Sequence, residues 1–428
     1  MTETTTETTA QSDVSGTVKI GVLQPTSGDL AYYGQQALWG FYSGLAYKGD
    51  ADPIESGSTG TYTATVGDVD YELVVRDSQF SADTAQSVAT DFVQNEDVDL
   101  LFGGTSSGAA TRVINTVVKQ AGVPYMVGPA ASADITSNGE TCGDLVFRAS
   151  ENTAMDARSG GKYVAQETDV SKVYLFGADY SFGQAVVDNY RQVLEDEGVE
   201  IVGEKFVEQG WDEWQGLLDN AQEEGAEGIV GGFTVATLPN LFTAFLNGDY
   251  DYRVFGGFAT QITNSVVGQT LKKALGDLTE EKIAETKLGP FTTRYHWNQY
   301  DNDINSEFVD TYTSTYGVVP DLFTSGTFTA ASAIVQAVEE GGSTEGADIA
   351  NALRGMTVQD TPKGEGGYTF QEYNNQARSA MTVADVVPTS DEWADSWDAA
   401  VMPSEPRATI SKEETTIPAD GDQMGCSL

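Results

Sequence analysis

The 428 residues include one histidine, two cysteines and only 22 Lys+Arg. No stretch approaches the roughly 18 apolar residues of a membrane-spanning helix. Each shortage excludes something. A lone His296, with Cys142 and Cys426 in no CxxC pair, rules out the common zinc and thiol-redox arrangements, which need several ligands at close spacing. With 22 cations against 65 Asp+Glu, no basic stripe exists to neutralise phosphates, so a nucleic-acid partner is disfavoured. There is no G-x-S-x-G turn and no Walker-type loop, and one histidine offers few nucleophile–base pairs. No catalytic residue, metal or cofactor is therefore expected. The start also lacks the charged n-region and apolar h-region of a secretory signal.

What is abundant is negative charge. The formal net charge is -43, and the acids are scattered along the whole chain instead of gathering in one tail. Self-repulsion on that scale is tolerable when concentrated salt screens it, which points to a surface adapted to high salt and a halophilic, archaeal source. The alternative is an ordinary acidic protein. Residues 1–16 open with a Thr/Glu tract that cannot bury a core and are expected to form a disordered tether. A mature chain relieved of its signal and anchor cysteine would begin this way, and so would a native cytosolic start. Cys426 lies in a polar tail, so in an oxidising compartment it is expected to bond Cys142 and tie the C-terminus to the body; two unpaired thiols are the alternative.

Between these ends, short β-rich apolar runs alternate with helical segments, the pattern of a parallel sheet covered by helices on both faces. Strands are expected over residues 18–23, 71–76, 98–102 and 123–127, with helices over 29–47, 82–94 and 109–120. A second set has strands over 173–176, 199–206, 228–232 and 254–257, with helices over 182–197, 211–224 and 238–246. A third group contains a strand over 288–292, helices over 303–316, 327–340 and 349–353, and a strand pair around 367–370 and 381–387. Residues 388–428 read as a surface tail.

At several of these segments the chain resembles the type I periplasmic solute-binding proteins of the leucine/isoleucine/valine and amide group, which serve ABC transporters. Ile20-Gly21-Val22-Leu23-Gln24-Pro25-Thr26-Ser27-Gly28 through Tyr33-Gly34-Gln35-Gln36 resembles that family's first strand, P-x-S-G turn and helix start. Residues 99–107, Ala121-Gly122-Val123-Pro124 and Gly128-Pro129-Ala130-Ala131-Ser132 match its next blocks, and Phe147-Arg148, Asp179-Tyr180-Ser181-Phe182-Gly183 and Tyr316-Gly317 with Pro320 continue the series. Each motif is weak alone; their order and spacing over residues 17–387 are specific. The resemblance implies an α/β architecture of two doubly wound parallel-sheet lobes joined by three hinge crossovers. On this sequence the crossovers fall near Ser150, Gly289 and Gly366. Lobe one is then 17–149 with 290–365, and lobe two 150–289 with 366–387.

The expected function is the solute-binding component of an ABC importer: a monomer held at the outer face of the cell membrane by a lipid anchor. It would deliver a small polar molecule to a membrane permease. A ligand-sensing domain on the same fold is the rival reading. The loop Thr105-Ser106-Ser107 entering a helix offers backbone N–H groups and hydroxyls to an anion, and Ser107 matches the family's carboxylate-binding serine. A plain N-cap is the simpler reading of the same residues. Ala130 and Ser132 correspond to the family's second contact. Tyr33 matches an aromatic that packs on the ligand, Tyr180 and Phe182 its closing aromatic, and Phe233-Thr234 a neighbouring contact. Tyr295-His296-Trp297 is a further candidate for the cleft wall, although a lone histidine is more often structural. Arg148 offers a charge to an anion, but at a lobe border it is expected to pair with a local carboxylate. Phe258 stands where amino-acid binders carry an acid for the ligand's ammonium. Either Asp179 or Glu151 substitutes, or the ligand is an amide, a urea-like molecule or a small carboxylate.

Overall fold

The computed structural model describes residues 14–28 and 30–428. Most of the predicted tether lies outside the described residues. Its last two residues do not belong to a tether, because Ser15 and Gly16 already pair with Asp68 and Val69 in a parallel ladder.

Two sheets organise the chain. The first runs Gly60–Val66, Asp68–Asp77, Ser15–Gln24, Leu100–Gly103, Tyr125–Val127, Val146–Arg148, parallel except for the hairpin at its Gly60–Val66 edge. The second runs Ala408–Ile410, Met381–Ala384, Leu288–Thr293, Arg253–Gly257, Gly228–Gly232, Lys172–Ala178, Glu200–Val207, with its first two strands antiparallel to their neighbours. Central strands are buried on both faces, which is why they read as continuous apolar runs and not as alternating patterns. Val18, Ile20 and Val22 pack toward helices Ala31–Gly49 and Thr324–Gly341, while Leu23 and Leu101 face Ala82–Asn95 and the helical run from Ser107. The second sheet is sandwiched in the same way.

Several elements escape the sequence pattern, among them one strand and two helices. The edge strand Gly60–Val66 alternates exposed and half-buried residues through Thr and Tyr, a pattern of the right period that polar composition disguises. Helices Gln261–Leu275 and Glu280–Glu285 fill a stretch in which no element is expected; Val267 and Leu271, four apart, carry the buried face of the longer one.

The crossovers correct the predicted boundaries. The first crossing runs past Ser150, between Val146–Arg148 of the first sheet and the lobe-two helix starting at Thr153. Residues 290–293, assigned above to lobe one, are hydrogen-bonded within the second sheet, so the chain returns only after Arg294. Tyr368–Phe370 and Ala377–Ser379, assigned to lobe two, form a three-stranded sheet with Thr357–Val358 and pack in the lobe-one core, so the third crossing lies between Ser379 and Met381. Glycines suggested turns at 289 and 366, but hydrogen-bonding partners decide which lobe a strand joins.

Residues 388–428 are not a surface tail. Val401–Pro403 pairs with Val386–Pro388, Ala408–Ile410 extends the second sheet, and Trp397 and Val401 are buried. The chain then crosses back to lobe one, where Cys426 is disulfide-bonded to Cys142 and Ile417 packs between Ala133 and Ala154.

Candidate functional site

Strand C-termini of both sheets converge on one cavity. Thr105 and Ser107 follow Leu100–Gly103, and Pro129 and Ala131 follow Tyr125–Val127. From the facing lobe come Tyr180 and Phe182 after Lys172–Ala178, Phe233 and Thr234 after Gly228–Gly232, Phe258 to Thr260 after Arg253–Gly257, and Arg294 after Leu288–Thr293. Tyr33, Phe80 and Phe323 close it from lobe one.

Of the residues singled out in the sequence, Ser107, Tyr33, Tyr180, Phe182, Phe233, Thr234 and Phe258 line this cavity. Ser106, Ala130, Ser132 and Tyr295 are not among its lining residues. Ser106 is the N-cap, its hydroxyl accepting from the Ala109 N–H at 3.4 Å. Both backbone groups of Ala130 are engaged within the protein: its N–H donates to Gly104 and its carbonyl accepts from Arg148. Ser132 donates its N–H to the Ser107 hydroxyl at 3.0 Å, and its own hydroxyl sits 3.3 Å from Asp134. Tyr295 is fully buried, stacked on Tyr300 with its hydroxyl donating to Asn305. Its backbone position after a strand end suggested the cleft, but its side chain turns into a lobe-one aromatic cluster.

Arg148 departs from its expected carboxylate pairing. Its guanidinium is wholly buried and donates to the carbonyls of Ala130 and Ser132, the Thr136 hydroxyl and Gln376 Oε1, so it pins the 130–136 loop beneath Ser107. Burial, with the neighbouring Arg294 charge added, pushes it down to about 9. His296 also lies off the cavity. Its Nδ1 is 3.2 Å from Asp321 Oδ1 and its ring meets Phe258, Trp297 and Trp397 edge-on.

Several lining residues carried no signal in the sequence. Asp156 and Arg294, one after the first crossover and one at the second, form a buried bidentate pair at 3.0 and 2.5 Å. Burial alone would lower the Arg294 pKa, but the Asp156 carboxylate outweighs it and holds the guanidinium above its ordinary value. They lie 138 residues apart, so only the folded chain joins them. Phe80 reaches the cavity from two successive left-handed residues, Gln79 at φ 52° and Phe80 at φ 56°. Non-glycine residues adopt this conformation at a cost, and Asp77 holds it by accepting from the Gln79 and Thr26 N–H groups and the Ser27 hydroxyl.

The lobes touch across the cavity. The Val235 N–H of lobe two donates to the Tyr33 hydroxyl at 2.7 Å. Asp321 accepts from Tyr32 and Gln36 of lobe one and from the Gln261 N–H of lobe two at 2.9, 3.2 and 2.8 Å. This is a closed arrangement.

Two α/β lobes, four chain crossings and one cavity at facing strand ends define a two-lobed binding protein that encloses a small solute. The chain belongs to the periplasmic binding protein family, whose sequence profile matches residues 17–392. It is similar to the Leu/Ile/Val-binding protein homolog 6 of Brucella abortus, with 28% identity over 349 residues, 79% of this chain and 80% of the relative. Among solved structures it resembles a periplasmic binding protein of Burkholderia mallei, with a TM-score of 0.77 and 20% identity over 96% of this chain and 99% of that one. Another is a solute binding protein of an ABC transporter from Rhodopseudomonas palustris in complex with p-hydroxybenzoic acid, with a TM-score of 0.73 and 17% identity over 93% and 98%. The chain is thus a solute-binding protein of the importer kind, a family that works in the periplasm or outside the cell. Among the described residues no helix is long and apolar enough to cross a membrane.

Proposed function

We propose that this protein is the capture subunit of an ABC importer, held at the outer face of the membrane by a lipid anchor, and that its cargo is a small carboxylate with an apolar, ring-sized body. The reading rests on the composition of the cavity wall. Tyr33, Phe80, Tyr180, Phe182, Tyr190, Phe233, Phe258 and Phe323 surround a few hydroxyls contributed by Thr105, Ser107, Thr234 and Thr260. Enclosing an apolar body of about 100 Å² between such rings is worth about 2.5 kcal/mol. Hydroxyls then orient the polar end, as is usual for small-molecule sites.

Ser107 is the preferred carboxylate contact. Its oxygen accepts from Ser132, which leaves its O–H hydrogen to donate to the ligand. Ser132 supports this arrangement through its backbone, so its hydroxyl is assigned no ligand contact. The rings of Tyr33 and Phe182, from opposite lobes, would grip the ligand body as the lobes close, and the closed form is the one a permease would engage.

Calorimetry in molar KCl with benzoate, p-hydroxybenzoate, leucine and phenylalanine tests the reading. At least one is expected to bind with micromolar affinity. Ser107→Ala should weaken that binding about tenfold, the worth of one hydrogen bond to a charged group, while Ser132→Ala should change it less than about threefold. Unchanged affinity in Ser107→Ala would remove the carboxylate site from lobe one.

A further inference from the structure

We infer that the hinge-side wall of the cavity is a donor subsite that receives an acceptor oxygen of the ligand and rejects an ammonium group, so that the cargo is an oxo- or hydroxy-substituted or simple carboxylate and not an α-amino acid. This rests on the proposed capture of a small carboxylate in the same cavity and says which carboxylates it selects.

The wall consists of Asp156, Arg294 and Tyr190, all lining the cavity and at most 7% exposed. Asp156 turns both carboxylate oxygens to Arg294, through Nε and Nη2. The pair is therefore neutral as a unit, and the carboxylate that could have met an ammonium is already matched. Arg294 Nη1 donates to no acceptor among the described residues. Beside it, the Tyr190 hydroxyl is buried and finds no hydrogen-bond partner among them either. Arg294 Nη1 and the Tyr190 hydroxyl thus stand at the cavity wall with protons uncommitted, and the buried hydroxyl left unpaired is costly. An oxygen acceptor from a ligand is the complementary partner for such donors.

Charge behind the wall acts in the same direction. Arg148 is buried and hydrogen-bonded to carbonyl, hydroxyl and amide oxygens, with no carboxylate in direct contact. Its depressed pKa has the Arg294 charge among its causes, which shows the two guanidinium groups within electrostatic reach of each other. An ammonium brought to this wall would meet Arg294 and, behind it, Arg148, with Asp156 the one acid in direct contact with either and Asp134 and Glu151 acting only at longer range.

No other acid offsets them at the cavity. Glu151 is bound by Lys363 at 2.7 Å and by the Tyr368 and Ser379 hydroxyls. Asp179 is exposed and outside the lining. Asp321 is engaged by Tyr32, Gln36, His296 and the N–H groups of Gln261 and Leu322. Asp156 is the one acid lining the cavity among the described residues.

Matched ligand pairs test this on the full chain in molar KCl. Calorimetry compares leucine with 4-methyl-2-oxopentanoate and phenylalanine with phenylpyruvate, each pair differing in the group at the α-carbon. The oxo acid is expected to bind at least tenfold tighter in each pair. Tyr190→Phe should weaken the oxo acid several-fold and leave the amino acid unchanged. Should that variant disturb packing, the double variant Asp156→Asn with Arg294→Gln removes both charges and keeps polar side chains at the wall, and the preference should collapse toward unity. Tighter binding of the amino acids, or a preference that survives in both variants, overturns the inference and leaves the small-carboxylate reading standing. Failure of all four compounds, with benzoate and p-hydroxybenzoate also inert, overturns that reading and the inference with it.

Discussion

Glu151 looked in the sequence like a spare acid for a ligand; in the fold it is the centre of the hinge. It lies beside the first crossing and accepts from Lys363, Tyr368 and Ser379, the last of these beside the third. Burial raises its pKa, but the Lys363 charge and these hydrogen bonds outweigh burial and leave it lowered. A carboxylate whose folded pKa is depressed contributes stability that is fully present above the unfolded value, near 4.3. That contribution is lost as pH falls through the lower folded value. Glu151→Gln strands a buried lysine and should cost about 3–5 kcal/mol at pH 7. The gap to wild type should narrow once the pH drops below about 4. Chemical denaturation of both proteins across pH 3–7 checks this. The surface acids titrate alike in the two, so a gap independent of pH would deny Glu151 its charge. Legibility at this scale followed chain locality. Ser107, Phe182 and Phe258 were visible because each follows a strand end, whereas Asp156 and Arg294 acquire meaning only from each other.

At the level of elements, a helix must begin hard against the strand it follows for its first residues to reach the cavity. Gly183, in the first turn of Ser181–Asp196, shows the constraint: a Cβ there would sit 2.1 Å from the Ala178 carbonyl oxygen. Gly34 is alike, its Cβ falling 1.9 Å from the Pro25 oxygen. Gly183→Ala should destabilise by about 1–3 kcal/mol through overpacking and carry Phe182 out of place, so affinity should fall with stability. Denaturation and calorimetry read both, and a neutral variant would show that the close approach is dispensable. The C-terminal segment makes a second constraint. It leaves the second sheet at Ile410, passes the hinge and is fastened at Cys142, 284 residues away in sequence. Cys426→Ser should lose about 2–4 kcal/mol, and reductant should lower the wild-type melting temperature to about that of the variant while leaving the variant unmoved. An equal response of both proteins to reductant would exclude the bridge as the cause. The strand and helix order was readable because buried parallel strands are apolar throughout. This last segment was not, because its buried residues are few and spread among Pro, Ser and Asp.

For the whole molecule the governing quantity is the net charge of -43. Raising salt from 0.1 to 1 M shortens the screening length from about 10 to about 3 Å, so the melting temperature should climb by several degrees over that range. A flat or falling profile would mean that self-repulsion does not limit stability. The sequence by itself determined this charge, the alternation of strands and helices, and the motifs whose order carries the family, since each depends on residues near one another in the chain. Only the tertiary structure decided where the chain crosses between lobes, because a crossing is set by which sheet a strand hydrogen-bonds. It decided equally that the last forty residues are built into both lobes, and that a paired Asp156 and Arg294 line the cavity together.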